Sequence, residues 1–429
     1  MRLKKSLKFL QRFRWPPILG MLVALLLGVW IVPALTQQPI TLTLLMVAPE
    51  VQEWQPLIKN FEAANPGIRL QLIEGPTSPD SIEDLYTSAF LLGNSPYDLV
   101  YMDVTWAPKF AAAGWLMDLS DRMSQAELAE FFPANLNGGR YESGLYRIPF
   151  RSDAGLLYYR KDLLAQAGYQ PPETFAELIQ ISQALQKQDA ARWGYLWQGR
   201  QYEGTAAMFV EVLQGFGGFW IDPKTHQVGL DQPAAIQAVE FLLNTIQQGI
   251  SPPGVATYKE EETRQLFQSG AAVFLRNWPY VWPLANAKDS PIRGKLAIAP
   301  MVHAPDGRSG ACQGGWGLGI SKTTQHPDAA WKAVEFITSA ASQQQFTLAT
   351  GYLPSRRAIL TDPQIVEKYS YFPAMQKVLE NTVLRPPTPQ YAQASDILQR
   401  YLSAAFTRRL SPEKAMKAAA NETHRLIKA

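Results

Sequence analysis

After residue 38 the chain alternates between two hydrophobic periods. The run Ile40–Val47 is rich in β-formers; Trp54, Leu57, Ile58 and Phe61 then recur at helical spacing until Asn65-Pro66-Gly67, and residues 68–73 return to a strand pattern. The cycle repeats with a helix near 81–92, the breaker Gly93-Asn94-Ser95-Pro96 and a short strand over 98–102 that ends at Asp103. This β-α-β-α-β order predicts the start of an open α/β sheet. Ligands of such sheets sit beyond the carboxyl ends of the strands, which is where Glu50 and Asp103 fall. Residues 144–150 and 155–159 read as strand segments flanking Arg151-Ser152-Asp153. The alternation then restarts: helices near 175–188, 233–248 and 259–269 interleave with strands near 193–197, 271–275 and 296–300. The Gly-rich Gln313-Gly314-Gly315-Trp316-Gly317 leads into 318–321, and from there the chain is mainly helical to its end. Within that part, Arg385-Pro386-Pro387-Thr388-Pro389 stands out as a hinge or pocket wall.

A chain of 429 residues, 47% hydrophobic and 18% charged, exceeds what one core of ordinary domain size holds, so two lobes are expected. Ahead of the body, residues 18–32 form an apolar run behind Arg2, Lys4, Lys5, Lys8, Arg12 and Arg14. That order predicts an export signal over 1–38, either cut after Val32-Pro33-Ala34 or retained as an N-terminal anchor. The apolar run is followed by no cysteine that could carry a lipid. Without the leader the formal charge of +3 becomes 34 basic against 37 acidic residues, and no basic run follows residue 14. This argues against a nucleic-acid partner, whose phosphates need a positive track. Cys312 has no partner for a disulfide, and the four histidines show no metal-ligand spacing, so neither a metal site nor a cofactor is expected.

The motifs of common enzymes are missing: there is no G-x-S-x-G, H-E-x-x-H, G-x-x-x-x-G-K-[ST] or G-x-G-x-x-G. Tryptophan is more informative. Of the twelve, Trp106, Trp197, Trp278, Trp282 and Trp316 adjoin turn residues rather than apolar periodicities. A sugar ring offers an apolar CH face to an aromatic plane and a rim of hydroxyls to carboxylates and guanidinium groups. Glu50, Asp103, Asp153 and Arg385 supply the second component at turn or strand-end positions. The competing reading of each Trp is ordinary core, and that of Asp153 a turn cap.

Several of these stretches together identify a resemblance. Phe61-Glu-Ala-Ala-Asn-Pro-Gly67, Tyr101-Met-Asp-Val-Thr-Trp106, Asp153-Ala-Gly-Leu-Leu-Tyr-Tyr-Arg-Lys-Asp-Leu-Leu164, Trp197-Gln-Gly-Arg-Gln-Tyr-Glu-Gly204, Arg276-Asn-Trp-Pro-Tyr-Val-Trp282 and Gly314-Gly-Trp-Gly-Leu-Gly-Ile-Ser321 resemble the maltose/trehalose-binding proteins of bacterial and archaeal ABC sugar importers. The first is common to many solute-binding proteins; the fourth and fifth are far more specific to the disaccharide binders. The resemblance implies a two-lobed α/β periplasmic-binding-protein fold with strand crossovers near 151–155 and 314–320 and a helical C-terminal part. Lobe 1 would comprise 39–152 and 315–350, lobe 2 153–314 and 351–429. It further implies a sugar held by Glu50, Asp103, Asp153 and Trp278, with Gly315, Trp316, Arg385, Tyr391 and Tyr202 as further candidates.

Two departures stand out. Arg151 occupies a position where the relatives have Tyr, and no counterpart of their sugar-binding Arg appears around Ile82-Glu83. The hydroxyls matched by this chain should differ accordingly. The expected activity is capture, without catalysis, of a disaccharide or similar glycoside by an exported monomer at the periplasm or cell surface, for an ABC permease. A secreted glycoside hydrolase with paired carboxylates in an aromatic-walled cleft is the alternative.

Overall fold

The computed structural model describes residues 38–77 and 79–428, so the expected leader lies outside the described residues. The β-rich run at the start of the body becomes β1 (Ile40–Val47), flanked in parallel by β2 (Ile68–Gly75) and β3 (Leu99–Asp103). Helix α1 (Val51–Ala64) buries Trp54, Leu57, Ile58 and Phe61, the residues whose spacing predicts it, and α2 (Pro79–Leu91) buries Ile82, Tyr86 and Phe90. Each helix carries the chain back to the starting edge. All three strands therefore end on the same side, where Glu50, Asp80 and Asp103 follow or close them.

The next strand departs from the expectation. β4 (Ile148–Ala154) runs straight through Arg151-Ser152-Asp153, which the sequence reading places between strands, and Gly155 alone separates it from β5 (Leu156–Arg160). The reason is pairing on both sides: residues 148–154 pair antiparallel with a later strand, and on the other edge Arg151 forms an isolated bridge with Pro354. β5 then enters a second sheet with β6 (Trp193–Leu196), β7 (Ala272–Asn277) and β8 (Leu296–Ala299), in the order β8-β5-β7-β6. The chain returns along β9 (Ala311–Ile320), whose first residues pair with β10 (Thr382–Val383) and whose last five pair with β3. Two lobes thus share β4–β5 and β9 as crossing strands.

Helix α3 (Glu203–Gly215) has no counterpart in the sequence reading, because eleven of its thirteen residues are buried and no polar face marks the helical period. It lies under the crossover. Near its middle, Glu211 forms a bidentate pair with Arg276 of β7 at 2.6 and 2.7 Å, both side chains fully buried, and Glu211 also accepts the Cys312 amide of β9 at 3.1 Å. The two C-terminal helices, Tyr391–Phe406 and Pro412–Lys428, close the second lobe's core through Tyr391, Leu398, Leu402 and Met416.

The crossover leaves no room at Gly155. A Cβ there would lie 1.7 Å from Glu211 Oε1 and 2.7 Å from Arg276 Nη2. Gly155→Ala should therefore split or displace a buried ion pair, and is expected to lower the unfolding free energy by about 2–5 kcal/mol in urea titration. Gly67→Ala, at a site with nothing within 4 Å, should leave the midpoint unchanged or slightly raised. Equal midpoints for both variants would contradict the packing described.

Candidate functional site

Between the carboxyl ends of the first sheet and the second lobe lies a cleft of about 630 Å³. Glu50, Asp103, Arg151, Asp153, Tyr202, Trp278, Gly315, Trp316 and Arg385 all line it. Tyr391, the tenth candidate, does not. Its ring packs in the second lobe's core 5.9 Å from Trp220, and its hydroxyl donates to Glu203 behind the wall. Of the turn-adjacent tryptophans, Trp106, Trp278 and Trp316 line the cleft. Trp197 is core, its indole N–H shared by Thr245 and Ser251, and Trp282 stacks on Tyr371 at 4.5 Å.

The floor is built by the crossing strands. Gly315 holds φ at +131°, and a Cβ there would lie 2.6 Å from the Arg151 carbonyl oxygen, so only glycine lets β9 pass this close to β4. Trp316 follows on β9 with its ring 4.9 Å from Tyr101 and edge-on to Trp106 at 5.3 Å. It is buried among aromatics and still borders the cavity. Beside it, the Arg151 guanidinium lies 4.5 Å from the Tyr352 ring and 5.6 Å from that of Trp316. Arg151 Nη2 donates to Glu50 Oε1 at 2.7 Å, and the Tyr101 hydroxyl donates to Glu50 Oε2 at 3.0 Å. Glu50 is thus a clamp for Arg151 more than a free acceptor. Arg151 Nε is buried without a hydrogen-bond partner.

Asp153 differs from its neighbours: no hydrogen bond to its carboxylate is formed within the protein among those described. Burial pushes its carboxyl up to about 6, with Glu50 and Asp103 adding to the rise and Arg151 opposing it. Asp103, by contrast, is tied to the Thr105 amide and hydroxyl through Oδ1. In the second lobe, Trp278 sits 4.3 Å over the Arg276 guanidinium, its backbone N–H donates to Asn277 Oδ1 at 2.8 Å, and its indole N–H donates to Glu260 at 3.3 Å. The Tyr202 hydroxyl donates to the other Glu260 oxygen at 2.6 Å.

Sequence reasoning missed Asp80, Glu203, Lys259, Glu260 and Tyr352, which also border the cleft. Glu203 lies inside the Trp197–Gly204 motif, so its position is legible in the sequence. Tyr352 carried no signal, since only the return of the chain past Pro354 to Arg151 brings it to the floor. Near the missing arginine, Ile82 is core and Glu83 pairs with Lys109 at 2.8 Å, so neither reaches the cavity and that stretch contributes Asp80 instead.

Two α/β lobes joined by crossing strands, with a ligand-sized cleft between them, define a solute-binding protein of the two-lobed periplasmic type. Residues 48–344 match the bacterial extracellular solute-binding protein family, and the chain belongs to that family, whose members serve ABC importers of sugars. A probable ABC transporter-binding protein of Deinococcus radiodurans is 31% identical over 83% of this chain and 86% of its own length. A maltotriose-binding protein of Pyrococcus abyssi is 27% identical over 80% and 71%. The structure of maltose-bound T. maritima MalE3 superposes with a TM-score of 0.82 at 36% identity, covering 90% of this chain and 100% of that one. This is a family of binding proteins rather than of enzymes, acting outside the cytoplasm, and the hydrolase alternative is not favoured. Among the described residues no helix is long and apolar enough to cross a membrane.

The Asp153 shift has a definite sign. Because burial raises its carboxyl above the ordinary carboxylate range, the ionised group destabilises the fold above pH 6, and the cost fades as pH falls through 6. Asp153→Asn is expected to raise the melting temperature of the ligand-free protein at pH 7.5, by about 1–3 kcal/mol of stability, with the gain disappearing near pH 4. Calorimetric melts of both proteins at several pH values check this, and a variant less stable at pH 7.5 would contradict it.

Proposed function

We propose that the chain captures a disaccharide or similar glycoside in this cleft and hands it, unchanged, to the permease of an ABC importer. The observation that carries the reading is the pairing of chemistries: one tryptophan from each lobe, Trp316 and Trp278, borders the same cavity as Asp103, Asp153, Arg151 and Arg385. The indoles suit the CH faces of pyranose rings, and the charged groups suit the hydroxyl rim. The resemblance and the maltose- and maltotriose-binding relatives support the same class of ligand. Of the charged residues bordering the cleft, Glu50, Asp80, Asp103, Asp153, Glu203 and Glu260 oppose Arg151, Lys259 and Arg385. That surplus of carboxylates favours a neutral glycoside over a phosphorylated or uronic one.

A ligand that touches both lobes binds the closed form better than the open one, and that difference alone shifts the population towards closure. The lobes would comprise 39–152 with 315–350 and 153–314 with 351–429, and the strand crossovers near 151–155 and 314–320 would act as the hinge. The leader would place the protein at the outer face of the cytoplasmic membrane, released by cleavage or held by the retained segment. Arg151, in place of the relatives' Tyr, sets the preference among maltose, trehalose, sucrose and glucosyl-polyols, because it offers donors where a hydroxyl both donates and accepts.

A thermal-shift screen with those four ligand types tests the class. A sugar at one hundred times its dissociation constant adds about 2.7 kcal/mol of stability, and no shift with any sugar would refute the proposal. For the ligand that binds, Trp278→Ala should weaken affinity by about 1–3 kcal/mol in calorimetric titration, by analogy with stacking on other rings. Trp316→Ala is expected to lower stability as well, since that ring is part of the first lobe's aromatic core. Arg151→Tyr should change the ratio of affinities between two of the sugars by about 1–3 kcal/mol, and identical ratios across all four would remove Arg151 from specificity.

A further inference from the structure

Glu203 opens helix α3 and borders the cleft, yet its carboxylate faces its own lobe. Oε1 accepts from Arg385 Nη1 at 2.7 Å and from the Tyr391 hydroxyl, while Oε2 accepts from the Ser395 hydroxyl. Arg385 is buried, and its other terminal nitrogen, Nη2, reaches the first lobe's Asp103 Oδ1 at 3.2 Å. Its Nε is buried without a partner. The bridge is lopsided. On the second-lobe side Arg385 has a short contact to a carboxylate that two further hydroxyls hold in place. On the first-lobe side it has one longer contact to an oxygen already accepting two hydrogen bonds from Thr105.

We propose that Glu203 is a positioning residue for ligand capture: it plants Arg385 on the second lobe so that the guanidinium meets Asp103 only when the cleft closes, making that contact a closure latch. As the lobes part, the weaker bond breaks and Arg385 stays with Glu203. A guanidinium fixed in this way loses less conformational freedom on meeting Asp103 than a free one, so the latch favours the closed form even before ligand arrives. The effect on sugar affinity rests on the proposed function; the effect on closure does not.

The test is energy transfer between dyes on the two lobes of the full chain, attached at Lys59→Cys and Lys187→Cys, both exposed, with the sole native cysteine, Cys312, buried. Without ligand, Glu203→Gln should shift the distribution towards the open, low-transfer form, and Asp103→Asn should do the same. In the Asp103→Asn background Glu203→Gln should add nothing, the coupling expected of one bridge. Ser395→Ala, which removes one of the two hydroxyls on Glu203 and leaves both its Arg385 and Tyr391 contacts, should shift the distribution much less than Glu203→Gln. A Glu203→Gln distribution identical to the parent, or an effect that simply adds to that of Asp103→Asn, would overturn the latch. For a sugar that binds, Glu203→Gln should raise the dissociation constant at least fivefold and Ser395→Ala should not. If no sugar binds, the functional reading fails and the ligand-free distributions still decide the latch.

Discussion

Two full charges, Glu211 and Arg276, meet beneath the crossover with no exposure to water, and much of the site depends on their meeting well. A buried carboxylate or guanidinium left alone costs several kcal/mol, so the pair is held bidentate and its remaining capacity is used by neighbours. Glu211 accepts the Cys312 amide, which fixes β9 where it leaves the second lobe. Arg276 lies under the Trp278 ring and donates to Gln198 at 3.3 Å, which fixes the wall of the cleft. Gly155 supplies the only backbone that passes above the carboxylate without a collision. Crossover and cleft wall are therefore one packed unit, and a change at Gly155 is felt where the indole stands.

The acidic groups of the cleft are held in three different ways. Glu50 is neutralised in place by Arg151 and Tyr101, and Asp103 is bound to its own turn and to Arg385. Asp153 is left to the cavity, with burial already working against its charge. A hydroxyl donating to Asp153 would offset that cost. Arg151, beside it, is held by Glu50 and keeps a buried Nε that no protein group satisfies.

How much of this was open to a reader of the sequence depends on how local the signal was. Trp54, Leu57, Ile58 and Phe61 announce α1 because one face of that helix is solvated, whereas α3, apolar nearly all round, gives no period to read. Glu50 and Asp103 are legible as ends of strands, and Trp278 and Trp316 as aromatic residues in Gly- or Pro-marked stretches. The strand through Arg151-Ser152-Asp153 was hidden, since its pairing partners come from Gly314, Gly315 and Pro354, far along the chain. Tyr391 was read as part of the site, while the structure puts it one layer behind, supporting Glu203. Sequence marks the residue types that suit a sugar; only the crossing strands decide which of them border the cleft.

The central claim is that one ligand binds between Trp278 and Trp316 and draws the lobes together over Asp153. A crystal structure with the tightest-binding sugar tests it most directly. One sugar is expected in the interlobe cleft, with an indole against a ring face and a sugar hydroxyl within about 3 Å of the Asp153 carboxylate. Density for the sugar outside the cleft, or inside it with Asp153 and both indoles untouched, would contradict it.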